Sequence, residues 1–170
     1  FGKKDIPGII LSEIKNLILY QVAAWPETLD EVGKKLAKSC NLKEYPLANK
    51  AISNSQIAIL RKEPLKWWII GNEIEDLSSE EGNILDLSHS QTYIRISGND
   101  SIVFLNRYLP IDLRENSFPL NSVASTVFHH CSVTLRRSIN GYELFVPRAF
   151  ALSLWELLLE SASQFGYEIK

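Results

Sequence analysis

The chain has 170 residues, of which 45% are hydrophobic and 22% are charged, a balance typical of globular proteins that excludes a disordered or fibrous chain. Its 18 basic and 20 acidic residues give a net charge of −2, whereas nucleic-acid-binding proteins usually carry a basic surplus. Because no apolar run approaches the roughly 18 residues of a membrane span and residues 1–5 lead into no signal-peptide core, we expect a cytoplasmic protein that binds neither nucleic acid nor membranes.

The first part of the chain predicts strands around one helix. Residues 17–25 are rich in β-forming side chains and predict a strand. Further strands are predicted over 56–61 and 67–70, and a short helix over 73–79. Between the first two strands, apolar residues recur at helical spacing and predict a helix that ends at Asn41. These residues are Leu29, Val32, Leu36 and Cys40.

The second part repeats this plan. Residues 92–96 alternate as a strand does, and Gly98-Asn99-Asp100 predicts a turn that caps a helix carrying Ile102, Leu105 and Leu109 on one face. A final helix is expected over 148–165, ending at Gly166. Three strands are expected between these helices, with Asn140-Gly141 as a hairpin turn. They are 123–129, 132–137 and 142–146.

The repeated order of elements predicts the fold class. Leu60-Arg61-Lys62 begins seven residues before Trp67, and Leu135-Arg136-Arg137 begins seven residues before Tyr142. We therefore predict an α+β fold built from two pseudo-repeated ββαβββα halves, about 1–82 and 83–170. Since each half alone would have little core, we expect them to form one domain over residues 1–170.

The cysteines and histidines offer little metal chemistry. Cys40 and Cys131 are far apart in the sequence, which predicts neither a disulfide framework nor a zinc knuckle. His129 and His130 precede Cys131, but a structural zinc site needs four ligands. A solvated turn or half-buried strand is the favoured interpretation, and a metal site or reactive thiol is the alternative.

Two other groups of residues have an ordinary structural explanation beside a functional one. Asp86-Leu87-Ser88-His89-Ser90 holds the residue types of a hydrolase triad, but alternation along a strand separates them and no Gly-x-Ser-x-Gly surrounds the serine. A structural role is therefore favoured over a hydrolase using Ser88 and His89. Arg136, Arg137 and Arg148 would either bind an anion or form surface ion pairs, and ion pairs are favoured.

The final helix is apolar beyond one face. Leu152 and Leu157 widen its core-facing stripe, which predicts either deep burial or a covering partner. Trp155, like Trp67 and Trp68, is a core residue or an interface anchor. The stripe itself consists of Ala151, Leu154, Trp155, Leu158, Leu159, Ala162 and Phe165.

Several segments resemble a known family. Asp86-Leu87-Ser88-His89-Ser90 and the residues up to Asp100 resemble the opening of the glycine-cleavage T protein and related folate-binding domains. Segments further on resemble the gamma subunit of heterotetrameric sarcosine oxidase, and 22–26 and 67–68 agree more loosely. The further segments are 108–113, 118–119, 123–126 and 146–158.

The resemblance implies a fold like the folate-binding domain of T protein and a place in a complex with alpha, beta and delta subunits. Such a complex oxidatively demethylates sarcosine to glycine, with tetrahydrofolate as one-carbon acceptor. The resemblance places FAD, FMN, NAD, zinc and tetrahydrofolate in the other subunits. It implies no catalytic, cofactor-binding or metal residue in this chain.

A departure from the T-protein pattern bears on folate. That pattern has an acid on the hairpin matching residues 128–135, and this hairpin contains no carboxylate that could titrate in its place. We therefore predict a non-catalytic structural subunit, and leave open self-association of the isolated chain. The alternative, a free-standing folate or one-carbon binding protein, would need Asp86, Asp100 or Asp112. The predicted partner interface comprises Phe118, Arg148, Phe150, Leu152, Trp155 and Leu157.

Overall fold

The structure is a computed structural model that describes residues 6–74 and 77–170. It contains two compact units. Unit 1 consists of the residues up to Lys15 together with Ser90–Lys170, and unit 2 consists of Asn16–His89. Among the described residues, no helix is both long and apolar enough to cross a lipid bilayer.

Strands dominate both units. Short 3₁₀ turns at Pro26–Thr28 and Arg148–Phe150 precede the first and last helices. The elements in chain order are β1 (Ile9–Ile14), β2 (Leu19–Ala24), α1 (Leu29–Ser39), β3 (Lys50–Ser53), β4 (Ala58–Glu63), β5 (Lys66–Ile70), β6 (Gly82–Asp86), β7 (Gln91–Ser97), α2 (Ser101–Leu105), β8 (Val123–Phe128), β9 (Cys131–Ser138), β10 (Gly141–Pro147), α3 (Ala151–Ala162) and β11 (Tyr167–Ile169).

Unit 2 is an antiparallel sheet with the order β3-β4-β5-β2-β6, and α1 covers one face. The amphipathic pattern of α1 turns its apolar side toward this face. Gly33 allows the close approach of Tyr45, because a Cβ at this position would lie 2.7 Å from the Tyr45 ring. The buried core consists of Val22, Ala24, Val32, Leu36, Cys40, Ile59, Trp67 and Ile69.

Unit 1 is a six-stranded sheet with the order β11-β1-β7-β10-β9-β8, packed against α2 and α3. β1 pairs antiparallel with β7 and parallel with β11. The first strand of the chain thus belongs to the sheet whose other strands all come from the second half of the chain. The units therefore have other boundaries than the halves 1–82 and 83–170, and a single domain over the whole chain stays a prediction.

A row of charged side chains crosses the other face of the unit 1 sheet. Arg95, Glu143 and Arg136 lie directly opposite one another on β7, β10 and β9. The Glu143 side chain is only 3% exposed, and its Oε2 lies 3.2 Å from Nη1 of Arg136. Beside this row, the rings of Tyr93 and Phe145 stack with their centroids 4.7 Å apart. This face of the sheet therefore combines charged and aromatic side chains, and most of them are buried.

Most predicted elements are confirmed, but two helices are shorter than predicted. α2 ends at Leu105 instead of reaching Leu109, because the N–H groups of Arg107 and Tyr108 bond to carbonyls three residues back and interrupt the regular i→i−4 pattern. Asp100 makes no side-chain cap at its start. The final helix begins at Ala151, since residues 148–150 form the 3₁₀ turn, and it ends at Ala162.

The remaining differences concern short strands and one partly described segment. The short edge strands β3, β6 and β11, and also β1, were not predicted from the sequence. The predicted helix over 73–79 includes residues 75 and 76, which lie outside the described residues. The described residues on either side of them are not helical. Asn41 follows the cap of α1 in the left-handed backbone region, at φ 54°, and ends that helix as predicted. Gly166 is also left-handed, at φ 70°, but α3 has already ended at Ala162.

Candidate functional site: surfaces and predicted site residues

The Asp86–Ser90 segment closes a turn in unit 2. The Ser88 N–H donates to Oδ1 of Asp86 over 2.8 Å, and Oγ of Ser88 accepts the N–H of Leu19 at 3.0 Å. The hydrogen bonds from Ser88 hold the pKa of Asp86 below its ordinary value. The serine hydroxyl therefore ties the end of β6 to the start of β2, which supports the structural interpretation over a triad with His89.

Replacing Ser88 by Ala is expected to lower the free energy of unfolding by about 1–3 kcal/mol, because it leaves the N–H of fully buried Leu19 without its acceptor. Urea denaturation measures this loss, and Ser55→Ala at an exposed serine is the control. The pKa of Asp86, followed by NMR, should rise toward its ordinary value. Unchanged stability in Ser88→Ala would show that the hydrogen bond between Leu19 and Ser88 does not stabilise the fold.

His129 and His130 form the two-residue turn between β8 and β9. Both are exposed, their ring centroids lie 4.1 Å apart, and His129 has φ 58°. Cys131 is 8% exposed, and burial raises the pKa of its thiol. The described part of the chain holds no group of three or more potential metal ligands. His129 and His130 thus form the solvated turn that the sequence favoured.

Both cysteines are free thiols within their own units. Cys40 lies in the core of unit 2 and Cys131 in that of unit 1. Burial raises the pKa of the Cys40 thiol, as it does for Cys131. A raised pKa lowers the thiolate fraction, and the thiolate is the reactive form. Both therefore behave as small core side chains.

The three candidate arginines are held by protein groups. Buried Arg136 pairs with Glu143. Arg137 contacts the carboxylate of Glu115 and donates to the carbonyl of Phe118 over 2.7 Å. Arg148, at the start of the 3₁₀ turn before α3, donates to a β7 backbone carbonyl over 3.4 Å. These contacts support the ion-pair and structural interpretation over an anion site.

The carboxylates required by the folate alternative have local contacts. Oδ2 of Asp112 accepts Nη2 of Arg114 at 2.6 Å and the Ser117 hydroxyl at 2.8 Å, and these bonds hold its pKa far below the ordinary value. Asp100 lies against Gly8, where an added Cβ would collide with its carboxylate. The β8–β9 hairpin itself contains no carboxylate. The hairpin therefore does not fit the folate-facing acid of the T-protein pattern.

The start of α3 carries the clearest exposed apolar surface among the predicted interface residues. Phe150 is 53% and Leu152 72% exposed, and Arg148 beside them is also exposed. We call these three residues the α3 surface. Trp155 and Leu157 instead pack, half-buried, against the unit 1 core.

Phe118 differs from the other predicted interface residues. Its side chain is only 7% exposed and belongs to the core of unit 1. Phe118 was predicted as an interface residue because it lies in a segment that resembles the gamma subunit. Such a resemblance carries no information on burial. The part of the predicted interface that reaches the surface is thus centred on the α3 surface.

Comparisons with known proteins agree with the resemblance found in the sequence. No family model matches the chain. Over 93 residues, 54% of this chain, it is 29% identical to the sarcosine oxidase subunit gamma of Corynebacterium sp. strain P-1. The match spans 46% of that relative's length. The suggested resemblance to a sarcosine oxidase gamma subunit is therefore confirmed.

Solved structures show the same fold. A chain of the heterotetrameric sarcosine oxidase from Corynebacterium sp. U-96 matches 92% of this chain, and 85% of its own length, with a TM-score of 0.80 and 20% identity. Aminomethyltransferase T of the Bartonella henselae glycine cleavage system matches 95% of this chain, and 47% of its own length, with a TM-score of 0.62 and 16% identity. The predicted α+β, T-protein-like fold is confirmed.

Proposed function

We propose that this chain is a gamma-type, non-catalytic structural subunit of a multi-subunit sarcosine oxidase. The observation that carries the proposal is its sequence similarity to a curated gamma subunit, supported by the fold it shares with a chain of the heterotetrameric enzyme. Because a fold does not fix a function, the sequence match carries more weight than the structural one.

In this proposal the other subunits carry out the chemistry, and this chain provides contacts that hold the assembly together. In the proposed cytoplasmic complex, alpha, beta and delta subunits hold FAD, FMN, NAD and zinc, and tetrahydrofolate accepts the one-carbon unit from sarcosine. This chain contributes a binding surface for the other subunits. Its hydroxyl, carboxylate and guanidinium candidates already contact protein groups: Ser88, Asp86, Asp112, Arg136 and Arg137.

The α3 surface is the proposed contact with the large subunits. Fully burying an exposed Leu or Phe side chain is worth about 1.5–3 kcal/mol, and Phe150 and Leu152, two residues apart, are each more than half exposed. Arg148 adds a charged group at the edge, an arrangement typical of interfaces with an apolar centre and a polar rim. Covering this surface would stabilise an assembly.

Co-expression with the cognate large subunits tests the proposed function. Size-exclusion chromatography, read at protein and flavin wavelengths, should show this chain eluting with the flavin. Omitting the chain should reduce the yield or the oxidase activity. Elution of the chain alone, beside a flavoprotein that is fully active without it, would refute the subunit role. Saturable binding of tetrahydrofolate by the isolated chain would then favour the folate alternative.

The double variant Phe150→Ser, Leu152→Ser should lower the affinity for the large subunits at least about tenfold, which is seen as reduced co-elution. It removes two apolar contacts that together are worth more than 1.4 kcal/mol. The control is Ile139→Ser, an 88% exposed residue in the turn at the opposite end of β10. Circular dichroism should show both variants folded. Equal co-elution of the double variant and the control would exclude the α3 surface as the contact.

A further inference from the structure

The turn between β9 and β10 presents an asparagine to solvent. It consists of Ile139 and Asn140, and both residues are exposed. The next residue is Gly141, and no other asparagine of the chain is followed by glycine. Among the described residues, none hydrogen-bonds to the side-chain amide of Asn140, although its backbone N–H donates to Oγ of Ser138 over 3.2 Å. The amide side chain is therefore free to turn toward the main chain.

The glycine leaves the main-chain nitrogen after Asn140 unhindered. Since Gly141 has no Cβ, no side chain of its own obstructs an approach to this nitrogen. A bond between the nitrogen and Cγ of Asn140 closes a five-membered ring, a size that forms with little strain. The primary amide of Asn140 also carries a leaving group, because ammonia can depart once Cγ is attacked. The two residues thus hold a nucleophile and an electrophile within one short segment of chain.

We propose that Asn140 is a site of spontaneous deamidation, in which the Gly141 nitrogen attacks Cγ of Asn140. The new C–N bond closes a succinimide ring and the bond from Cγ to Nδ2 breaks. The Gly141 nitrogen gives its proton to water, and the departing Nδ2 takes one from water and leaves as ammonia. Water then opens the ring at either carbonyl and yields aspartate or isoaspartate. The net reaction consumes one water and releases one ammonia, with no change of oxidation state.

Hydrogen bonds at the end of the hairpin limit the rate of this reaction. Arg137 uses its N–H and C=O on the β8 side. In the alternating ladder, the next pair, Ser138 and Gly141, is therefore hydrogen-bonded between β9 and β10. The Ser138 hydroxyl also donates to the Gly141 carbonyl over 3.4 Å. The Gly141 nitrogen can attack only when this last pair opens, and the end of a ladder is where local opening costs least.

The reaction changes the hairpin that carries two members of the charged row. Both products add a negative charge at its tip, and isoaspartate also adds a methylene group to the main chain of a two-residue turn. Arg136 and Glu143 form the next hydrogen-bonded pair after Ser138 and Gly141. The isoaspartate product should therefore have a lower urea midpoint than Asn140→Asp, which has the same charge and an unchanged main chain. The inference does not rest on the proposed function.

Two other asparagines separate the effect of the glycine from that of the free side chain. Asn116 is exposed but is followed by serine. Asn54 is also followed by serine, and its side chain is held by three hydrogen bonds. Its Oδ1 accepts two backbone N–H groups at 2.9 and 2.8 Å, and its Nδ2 donates to the Cys40 carbonyl over 3.1 Å. Because these bonds must break before Cγ is attacked, Asn54 should react slowly even in Ser55→Gly.

Peptide mapping by mass spectrometry tests the inference on the folded chain, incubated in mildly alkaline buffer made with oxygen-18-labelled water. Asn140 should gain the label about tenfold or more faster than Asn116, and faster by a similar ratio than Asn54 in Ser55→Gly, a ratio that one or two hydrogen bonds account for. Isoaspartate should appear at position 140 together with aspartate. Urea midpoints confirm that each variant folds.

A serine variant tests the part played by the hairpin end. Ser138→Ala should raise the rate at Asn140 about fivefold, because it removes a hydroxyl that bonds to both Asn140 and Gly141. Ser132→Ala, at an exposed serine of the same strand, should leave the rate unchanged. An Asn140 that gains no label while a free peptide of the same segment reacts fully would overturn the inference. So would equal rates at Asn140 and Asn116, or a rate that Ser138→Ala leaves unchanged.

Discussion

Glu143→Gln is expected to lower the free energy of unfolding by about 3–5 kcal/mol, since breaking a buried ion pair leaves an uncompensated charge. Oε2 of Glu143 lies 3.2 Å from Nη1 of Arg136, and Oε1 lies 3.8 Å from Nη2 of Arg95. The side chains of Glu143 and Arg136 are 3% and 7% exposed. The neutral amide leaves two guanidinium groups on β7 and β9 without their shared anion.

The matched control is Glu115→Gln, which removes a carboxylate from an exposed pair. Glu115 contacts Arg137 but is 67% exposed, so its loss should cost no more than about 1 kcal/mol. Urea denaturation of the three proteins at neutral pH gives both differences. Equal midpoints for the two variants would show that solvent screens Glu143 as well as it screens Glu115, and would exclude a buried role for the charged row.

A second comparison separates the charge from the packing. Glu143→Leu combined with Arg95→Met and Arg136→Met removes all three charges and keeps similar side-chain volumes. Replacing a buried ionic group as a whole is often neutral or stabilising. This variant should therefore be more stable than Glu143→Gln alone. If it is the less stable of the two, the row contributes through its specific hydrogen bonds rather than by neutralising buried charge.

Local patterns predicted the elements that hold most of each core. Alternation identified β7, the hairpin signal before Tyr142 identified β10, and helical spacing identified α1 with Leu29, Val32 and Leu36. These signals are strong because each element turns one continuous apolar face toward its core. The hairpin between β9 and β10 was also predictable from a local signal, although its two turn residues are Ile139 and Asn140. Gly141 begins β10 and has φ 116°, a conformation that glycine adopts readily.

Pairings over long sequence distances could not be predicted this way. β11 has only three residues, and β1 and β11 are each fixed in the sheet by a partner far along the chain, with Ile9 opposite Tyr167. The acceptor role of Ser88 depends on Leu19, 69 residues away. The burial of Phe118 depends on the packing around it. No local pattern encodes such contacts, so the sequence suggested candidate residues but not which of them reach the surface.

Trp67→Ala is expected to lower the free energy of unfolding by about 3–5 kcal/mol, the usual cost of truncating a large buried aromatic residue. Trp67 is fully buried in the core of unit 2, opposite Val22 in the β2–β5 register. The Tyr45 ring meets it edge-on at 6.2 Å, and the Arg61 guanidinium lies 5.5 Å from its ring centroid. Truncation removes all of these contacts and leaves a cavity beneath α1.

Trp67→Phe separates the apolar contribution of the ring from its polar group. Among the described residues, none accepts a hydrogen bond from the buried Nε1 of Trp67. Phe gives up some ring volume but also removes this unsatisfied donor, and the two effects oppose each other. We expect a change within about 1 kcal/mol, similar to Leu47→Ala at a 75% exposed position. A loss from Trp67→Phe close to that from Trp67→Ala, measured by urea denaturation, would contradict this balance between lost ring volume and the removed donor.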